Sequence, residues 1–349
     1  MPEVRRAGII GLGTYAPARV LTNHDLERMV DTSDEWIRER TGIVERRIAA
    51  PDEATSDLGL EAARRALADA GLAAADIDLV IVATATPDTI FPATACLTQD
   101  RLGAKRAGAF DLAAGCSGFI YGLAVAREFV AAGSCDRVLV VGSETLSRIT
   151  NWKDRSTCVL FGDGAGAAVV APVARGGLLA ARLGADGAGA GLLQLPAGGS
   201  RLPASLESVE RGLHYLQMNG RDVFKFAVRV IPEATREVLA AAGRSEGELD
   251  ILIPHQANVR IIEAAAKRLG LAPEQVVVNV DRYGNTSAAS IPLALEEAVR
   301  DGRVSPGDLV VMVAFGAGLT WAAIAMEWTG TGKETGTEGG GRFDPDQTV

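Results

Sequence analysis

One cysteine stands where a short apolar run meets a helical stretch, in Phe110-Asp111-Leu112-Ala113-Ala114-Gly115-Cys116-Ser117-Gly118-Phe119, which continues through Tyr121 to Val130. The first amides of a helix lack intrahelical partners and its dipole is positive there, so a thiolate in that place is favoured and can act as a nucleophile. Its small neighbours leave room for a substrate; the alternative is a cysteine packed as a small hydrophobe. Of three histidines, His255 has the most suggestive surroundings, following the apolar run Leu249 to Ile253 and Pro254. In sheets of parallel strands that carboxyl end is where sites form. Asn285 lies between an expected strand, Val276–Val280, and a helix running to Arg300; alone, it would be a turn or cap residue. Ala314-Phe315-Gly316-Ala317-Gly318 closes a strand with a turn whose amides could bind an oxyanion. The other cysteines fit less well: Cys96 in a helix, Cys135 in a turn and Cys158 in a strand-like apolar run. His24 and His214 read as surface positions.

These residues need a frame. A strand is expected over 7–13 before a glycine turn, and a capped helix over 23–30. Ser56 to Ala70 has helical periodicity and stops at Gly71, whereas Leu79–Ala83 is continuously apolar, as in a buried parallel strand. A helix over 91–103, strands over 107–112 and 137–142, and a turn Phe161–Gly166 into a strand over 167–171 complete the first half. The second half repeats the order. Positions 61 and 233, 71 and 243, 78 and 250, and 138 and 310 match in type, each pair 172 residues apart, which indicates an internal duplication. His255 takes the place of Ala83 in that repeat. Alternating strands and helices imply an α/β fold with parallel-rich sheets, and pseudo-twofold halves would face equivalent loops across a central site. The halves are expected at 1–175 and 176–329. Residues 176–220 interrupt the pattern, as a linker or a cover over a pocket, and 330–349 read as a disordered tail.

With 349 residues, 48% of them hydrophobic and 23% charged, the chain has the composition of a globular protein with a sizeable core. A net charge of -9 argues against nucleic acid as a partner. Four cysteines at unrelated spacings form no zinc or disulfide pattern. The weakly apolar N-terminus is not expected to be a signal peptide, and no apolar run approaches the roughly 20 residues of a membrane span. The cytoplasm is the expected location.

Ala113–Phe119, Pro254-His255-Gln256-Ala257-Asn258 and Gly284–Pro292 together resemble β-ketoacyl-acyl-carrier-protein synthase III, the initiating condensing enzyme of type II fatty acid synthesis. Asp31–Ile37, Arg40–Ile43 and Phe161–Ala168 extend the resemblance, which covers roughly residues 7–328 in order. Related condensing enzymes carry Cys-His-His or Cys-His-Cys, and Asn285 departs from both. The resemblance implies a duplicated thiolase-like fold, two pseudo-symmetric βαβαβαββ halves in αβαβα layers. It also implies decarboxylative condensation of an acyl-CoA primer with malonyl-acyl-carrier protein. Cys116 would carry the acyl group, and His255 and Asn285 would stabilise the enolate. The amides of Cys116 and of Ala317 or Gly316 would form the oxyanion hole. No metal or redox cofactor is expected, because CoA enters as part of a substrate.

By the same resemblance Trp36 and Arg155 would stack on either face of the CoA adenine, with Arg40 at its phosphates. Phe91, Leu146, Leu160 and Phe161 would shape the acyl pocket, Phe91 from across a homodimer interface. Lys225, Gln256, Arg260 and Lys267 would dock the acidic acyl-carrier protein. The rival expectations are a same-triad relative in a secondary-metabolite pathway, a non-condensing acyltransferase, and a protein that only binds acyl groups or carrier protein.

Overall fold

The computed structural model describes residues 5–332. The first half contains β1 (Ala7–Tyr15), α1 (Asp34–Thr41), α2 (Thr55–Ala70), β2 (Leu79–Ala83), α3 (Thr94–Leu102), β3 (Gly108–Leu112), α4 (Gly118–Ala131), β4 (Val138–Glu144) and β5 (Gly164–Pro172). The second contains β6 (Gly177–Ala185), α5 (Gly220–Ala241), β7 (Ile251–Pro254), α6 (Val259–Leu269), α7 (Ser290–Arg300), β8 (Leu309–Gly316) and β9 (Thr320–Glu327).

The first sheet has the order β1-β5-β4-β2-β3 and the second the order β6-β9-β8-β7. Each sheet contains one corresponding parallel pair: β2 beside β4, where Leu79 pairs with Val138, and β7 beside β8, where Ile251 pairs with Val310, so the registers coincide at the 172-residue offset. The place beside β7 that would match β3 is held by a single bridge, Leu252 to Val276. The expected strand 276–280 is therefore an extended segment without a ladder, and Val280 already begins a short helix ending at Tyr283. Strand β6 was not anticipated within 176–220. It is an edge strand whose far end is exposed, so its apolar pattern is broken.

Five layers result. α2 covers one face of the first sheet, with Leu58, Ala62, Ala63 and Ala66 against Val80, Val82, Leu139 and Val141. α4 and α7 lie between the sheets, packing Phe119, Ile120, Leu123, Ile291, Ala294 and Leu295 against Ile81, Val140, Ile253 and Met312. α5 and α6 cover the second sheet's outer face. An apolar core of this kind excludes water from both parallel ladders, so the strand ends are held rigidly. Glycine permits the close approach of α2 to β1: a Cβ at Gly13 would meet the backbone nitrogen of Ala66 at 2.2 Å. Gly8, Gly11 and Gly13 therefore belong to a strand that continues to Tyr15, and no turn interrupts it.

The helix expected over 91–103 starts later, because the Asp111 carboxylate accepts from the amides of Thr94 and Ala95 and caps it there. The helix expected over 23–30 is one turn, Asn23–Glu27, capped by Thr22. Cys158 closes a short helix, Arg155–Cys158, and is not in a strand. His214 is half-buried against Tyr215, with ring centroids 4.0 Å apart. Of the expected tail, residues 333–349 lie outside the described residues. Thr331 is buried, and the Gly332 amide donates to Ile10 O at 3.1 Å. Among the described residues no helix is long and apolar enough to cross a membrane.

Candidate active site

Cys116, His255 and Asn285 line one cavity of about 510 Å³. Cys116 sits in a 3-10 turn, Gly115–Ser117, between β3 and α4; the α-helix itself begins at Gly118. The turn Ser287–Ala289 before α7 lies 172 residues further on, and α7 begins at the counterpart of Gly118. Gly115 (φ 52°) and Ser287 (φ 48°) share the left-handed backbone of that turn. The true counterpart of Cys116 is accordingly Ala288. Asn285 stands three residues before it, so the two are not mirror images.

His255 extends β7, its amide donating to Val313 O at 2.8 Å, and its ring meets Phe315 edge-on at 5.4 Å. Nδ1 lies 2.6 Å from the Ser290 hydroxyl. Asn285 is tied to the first half by its backbone: its amide donates to Leu160 O at 2.8 Å, and its carbonyl accepts from Gly162 N at 3.0 Å. Its Oδ1 accepts from Ser287 N at 2.9 Å, which leaves Nδ2 as the free donor. Asparagine is useful here because it donates without titrating.

Electrostatics in the site follow from burial. The Cys116 thiol is pushed up to about 12, first by desolvation, opposed by a hydrogen bond from Ser287 and reinforced by the nearby Glu144 charge. This corrects the expectation of a thiolate favoured by the helix terminus. A dipole supplies roughly 0.3–1 kcal/mol, less than one pKa unit, whereas full burial shifts a group by several. Desolvation holds the His255 imidazole down at about 3, so the ring is neutral.

The duplication also exposes an anion site. A Cβ at Gly316 would lie 2.4 Å from Cys116 N, and one at Gly115 would lie 2.8 Å from Ala317 N, so the turn after β8 abuts the cysteine loop backbone to backbone. The counterpart of Gly316 is Glu144, whose carboxylate accepts from the amides of Ala85 and Ala288 and from Thr84 and Thr86. Ala288 N is the counterpart of Cys116 N. In one copy, then, a carboxylate fills the position that the other copy leaves open before the cysteine amide.

Leu146, Leu160 and Phe161 line the cavity with Trp36 and Arg40. The segment after β6 is a cover: Leu193, Leu216 and Met218 line the cavity too, held by the pairing of 193–194 with 217–218. Phe91 does not line it and is 84% exposed. Arg155 and Trp36 are not separated by the width of a ring. The guanidinium carbon lies 4.8 Å from the Trp36 centroid, and Nη1 donates to Asp31 O at 2.6 Å. An intervening ring needs about 3.5 Å of contact on each face, so no ring can lie between the two while Arg155 holds this place. Lys225, Arg260 and Lys267 are exposed, Lys225 paired with Asp222 at 3.0 Å and Arg260 over Phe224.

Gln256 is a correction. It is buried, with Nε2 donating to Pro254 O and Val277 O and Oε1 accepting from Asn279 N. It knits β7 to the segment after Val276 and cannot present its amide to a docking protein. Sequence reasoning passed over Glu144, Ser287 and Ser290 as individual residues. The 172-residue offset could have singled out the two serines, which stand opposite Gly115 and Gly118.

The family models and the curated relatives point to one family. Residues 110–199 match the model described as 3-oxoacyl-[acyl-carrier-protein (ACP)] synthase III, and residues 239–328 match its C-terminal model. A β-ketoacyl-[acyl-carrier-protein] synthase III of Symbiobacterium thermophilum is 64% identical over 327 residues, 93% of this chain and 99% of the relative. Its namesake in Caldanaerobacter subterraneus is 60% identical, over 94% of this chain and 100% of that one. The solved β-ketoacyl-[acyl carrier protein] synthase III of Thermus thermophilus superposes with a TM-score of 0.87 at 54% identity, over 93% of this chain and all of the other.

Proposed function

The chain belongs to the β-ketoacyl-acyl-carrier-protein synthase III family of condensing acyltransferases, which initiate type II fatty acid synthesis, and we propose that it joins an acyl-CoA primer to malonyl-acyl-carrier protein. The observation that carries this reading is the convergence of Cys116, His255 and Asn285, from both halves of the duplication, on one cavity.

Cys116 attacks the primer's thioester carbonyl. The developing oxyanion is met by the amide of Cys116 and that of Ala317, or of neighbouring Gly316. Support comes from the mirror-related amide of Ala288, which already donates to a carboxylate. The tetrahedral intermediate expels CoA, and the thiol proton leaves on its sulfur. Malonyl-acyl-carrier protein then enters. His255 Nε2 and Asn285 Nδ2 donate to its thioester oxygen, CO2 departs, and the enolate's carbon attacks the acyl-cysteine. Release of the β-ketoacyl product returns a thiolate, which is reprotonated. Two neutral donors suit this step, because decarboxylation creates the carbanion without a strong base. The chemistry calls for no metal or redox cofactor.

Trp36, Arg40 and Arg155 bind the CoA moiety once Arg155 has moved, and Leu146, Leu160 and Phe161 hold the acyl chain. Phe91, exposed in one chain, closes the pocket of a second copy in a homodimer. Lys225, Arg260 and Lys267 receive the carrier protein, and the cytoplasm is the compartment. Mass spectrometry of Cys116 after exposure to a panel of acyl-CoAs, followed by CO2 and product analysis with malonyl-acyl-carrier protein, tests the reading. An acyl adduct on Cys116 and a β-ketoacyl product are expected; absence of labelling by every acyl-CoA, or transfer without a new C–C bond, overturns it.

A further inference from the structure

We propose that Ser290 is a positioning residue that sets the tautomer of His255: its hydroxyl donates to Nδ1, so that the ring's one proton sits on Nε2, facing the cavity. The inference rests on the reading of His255 as a hydrogen-bond donor to the malonyl thioester.

Ser290 Oγ is fully buried and has three polar neighbours: His255 Nδ1 at 2.6 Å, Ser287 O at 3.0 Å and the amide of Gln256 at 3.5 Å. The Gln256 amide can only donate, so it uses one of the hydroxyl's lone pairs. The single hydroxyl proton then has two possible acceptors. Ser287 O already accepts from the backbone amide of Ser290, which closes the 3-10 turn before α7. Nδ1 has no other protein partner among the described residues, and its contact is the shorter of the two. Both facts direct the hydroxyl proton to Nδ1. A ring held neutral has one N–H, and an acceptor role at Nδ1 puts that N–H on Nε2.

The duplication supplies an independent argument. Ser290 and His255 stand 172 residues after Gly118 and Ala83, which touch in the first half: a Cβ on Gly118 would be 3.0 Å from that of Ala83. The same pair of backbone positions is thus apolar and closed in one copy, and a hydrogen-bonded hydroxyl and imidazole in the other. Packing alone is met by glycine and alanine at this crossing, so the polar pair answers to the site it borders.

The test begins with nitrogen NMR of the full chain labelled with 15N-histidine, the His255 ring signals being identified by their loss in His255→Asn. The resting protein at neutral pH is expected to show a protonated Nε2 and a bare Nδ1. In Ser290→Ala this preference is lost, and decarboxylation of malonyl-acyl-carrier protein falls about ten-fold or more, since a mis-set tautomer can cost far more than that in other enzymes. Acylation of Cys116 by acyl-CoA changes less than about threefold, because its oxyanion is held by backbone amides. Ser290→Thr, which keeps the hydroxyl, restores both the tautomer and decarboxylation. A proton on Nδ1 in the unaltered protein overturns the inference, as does Ser290→Ala with undiminished decarboxylation or with equal loss in both half-reactions. The NMR readout needs no substrate, so it decides the role of Ser290 even where Cys116 proves unreactive, an outcome that overturns the proposed function instead.

Discussion

Gly316 and Cys116 touch through their backbones: a methyl group on Gly316 would sit 2.4 Å from Cys116 N and 3.2 Å from its Cβ. Both sides of the contact are main chain, so no flexible side chain can yield. Gly316→Ala must therefore push the β8 turn away from the cysteine loop. Displacements near 1 Å can cost about 100-fold in rate, and overpacking costs about 1–3 kcal/mol of stability. The rate of Cys116 labelling by acyl-CoA should fall by about that factor while the protein stays folded by circular dichroism.

Gln256→Ala should unfold the site and not the docking surface. The substitution orphans the buried Asn279 amide and removes donors from Pro254 O and Val277 O. Leaving such groups unsatisfied costs about 1–3 kcal/mol each at most, so a loss of a few kcal/mol is expected in denaturant unfolding. The affinity of the folded variant for carrier protein, by contrast, should be near that of the parent.

Thiol reactivity reports the burial of Cys116 directly. With the thiol pushed up to about 12, the thiolate is the minor form at every ordinary pH, and its fraction rises about ten-fold per unit below that value. Iodoacetamide labelling of Cys116, resolved by mass spectrometry from the exposed Cys96, should keep climbing from pH 7 to 9. His255, held down at about 3, stays neutral over this range, so no inflection near 6.5 is expected. A plateau above pH 7 would instead mean a helix-activated thiolate.

Trp36→Ala separates binding from chemistry. The ring lines the cavity and is covered by the Arg155 guanidinium in the free chain. Its loss should raise KM for acyl-CoA about ten-fold, with kcat nearly unchanged, as expected when an interaction acts equally on ground and transition states. A fall in kcat with constant KM in steady-state kinetics contradicts this.

How far the molecule could be read from its residues depends on which interactions are periodic. The 172-residue offset was visible in Asp78-Leu79 and Asp250-Ile251, and it corresponds to equal strand register, because buried parallel strands must both be continuously apolar. Strand β6 escaped notice because an edge strand exposed at one end has no such run. The segment at Val276 has apolar residues enough for a strand, yet it gains one bridge only, and the Gln256 side chain meets Val277 O and Asn279 N in place of a neighbouring strand. Neither that burial nor the desolvation of Cys116 is written in local spacing, since both depend on what the other half places nearby. Phe91, an aromatic beside proline, faces outward in the single chain, and nothing in its local spacing distinguishes that from a core position.

Ser287 tests whether strain at the site is tolerated for its hydroxyl. Among the described residues it is the only non-glycine with positive φ, at 48°, and its counterpart Gly115 has the same conformation at 52°. A side chain in the left-handed region costs roughly 1–2 kcal/mol, and glycine at this position would escape that cost. The serine hydroxyl is within reach of both the Cys116 thiol and the Glu144 carboxylate, and it lowers the pKa of whichever group receives its one proton. Ser287→Ala keeps the strain and loses the hydroxyl; Ser287→Gly loses both. The glycine variant should therefore be more stable than the alanine variant by about 1 kcal/mol in thermal unfolding. The two should be equally impaired in acylation of Cys116, because the backbone amide that holds Asn285 is retained in each while the hydroxyl is absent from each. Full acylation activity in Ser287→Gly would show that the left-handed turn alone is required, and that the serine contributes nothing to the thiol.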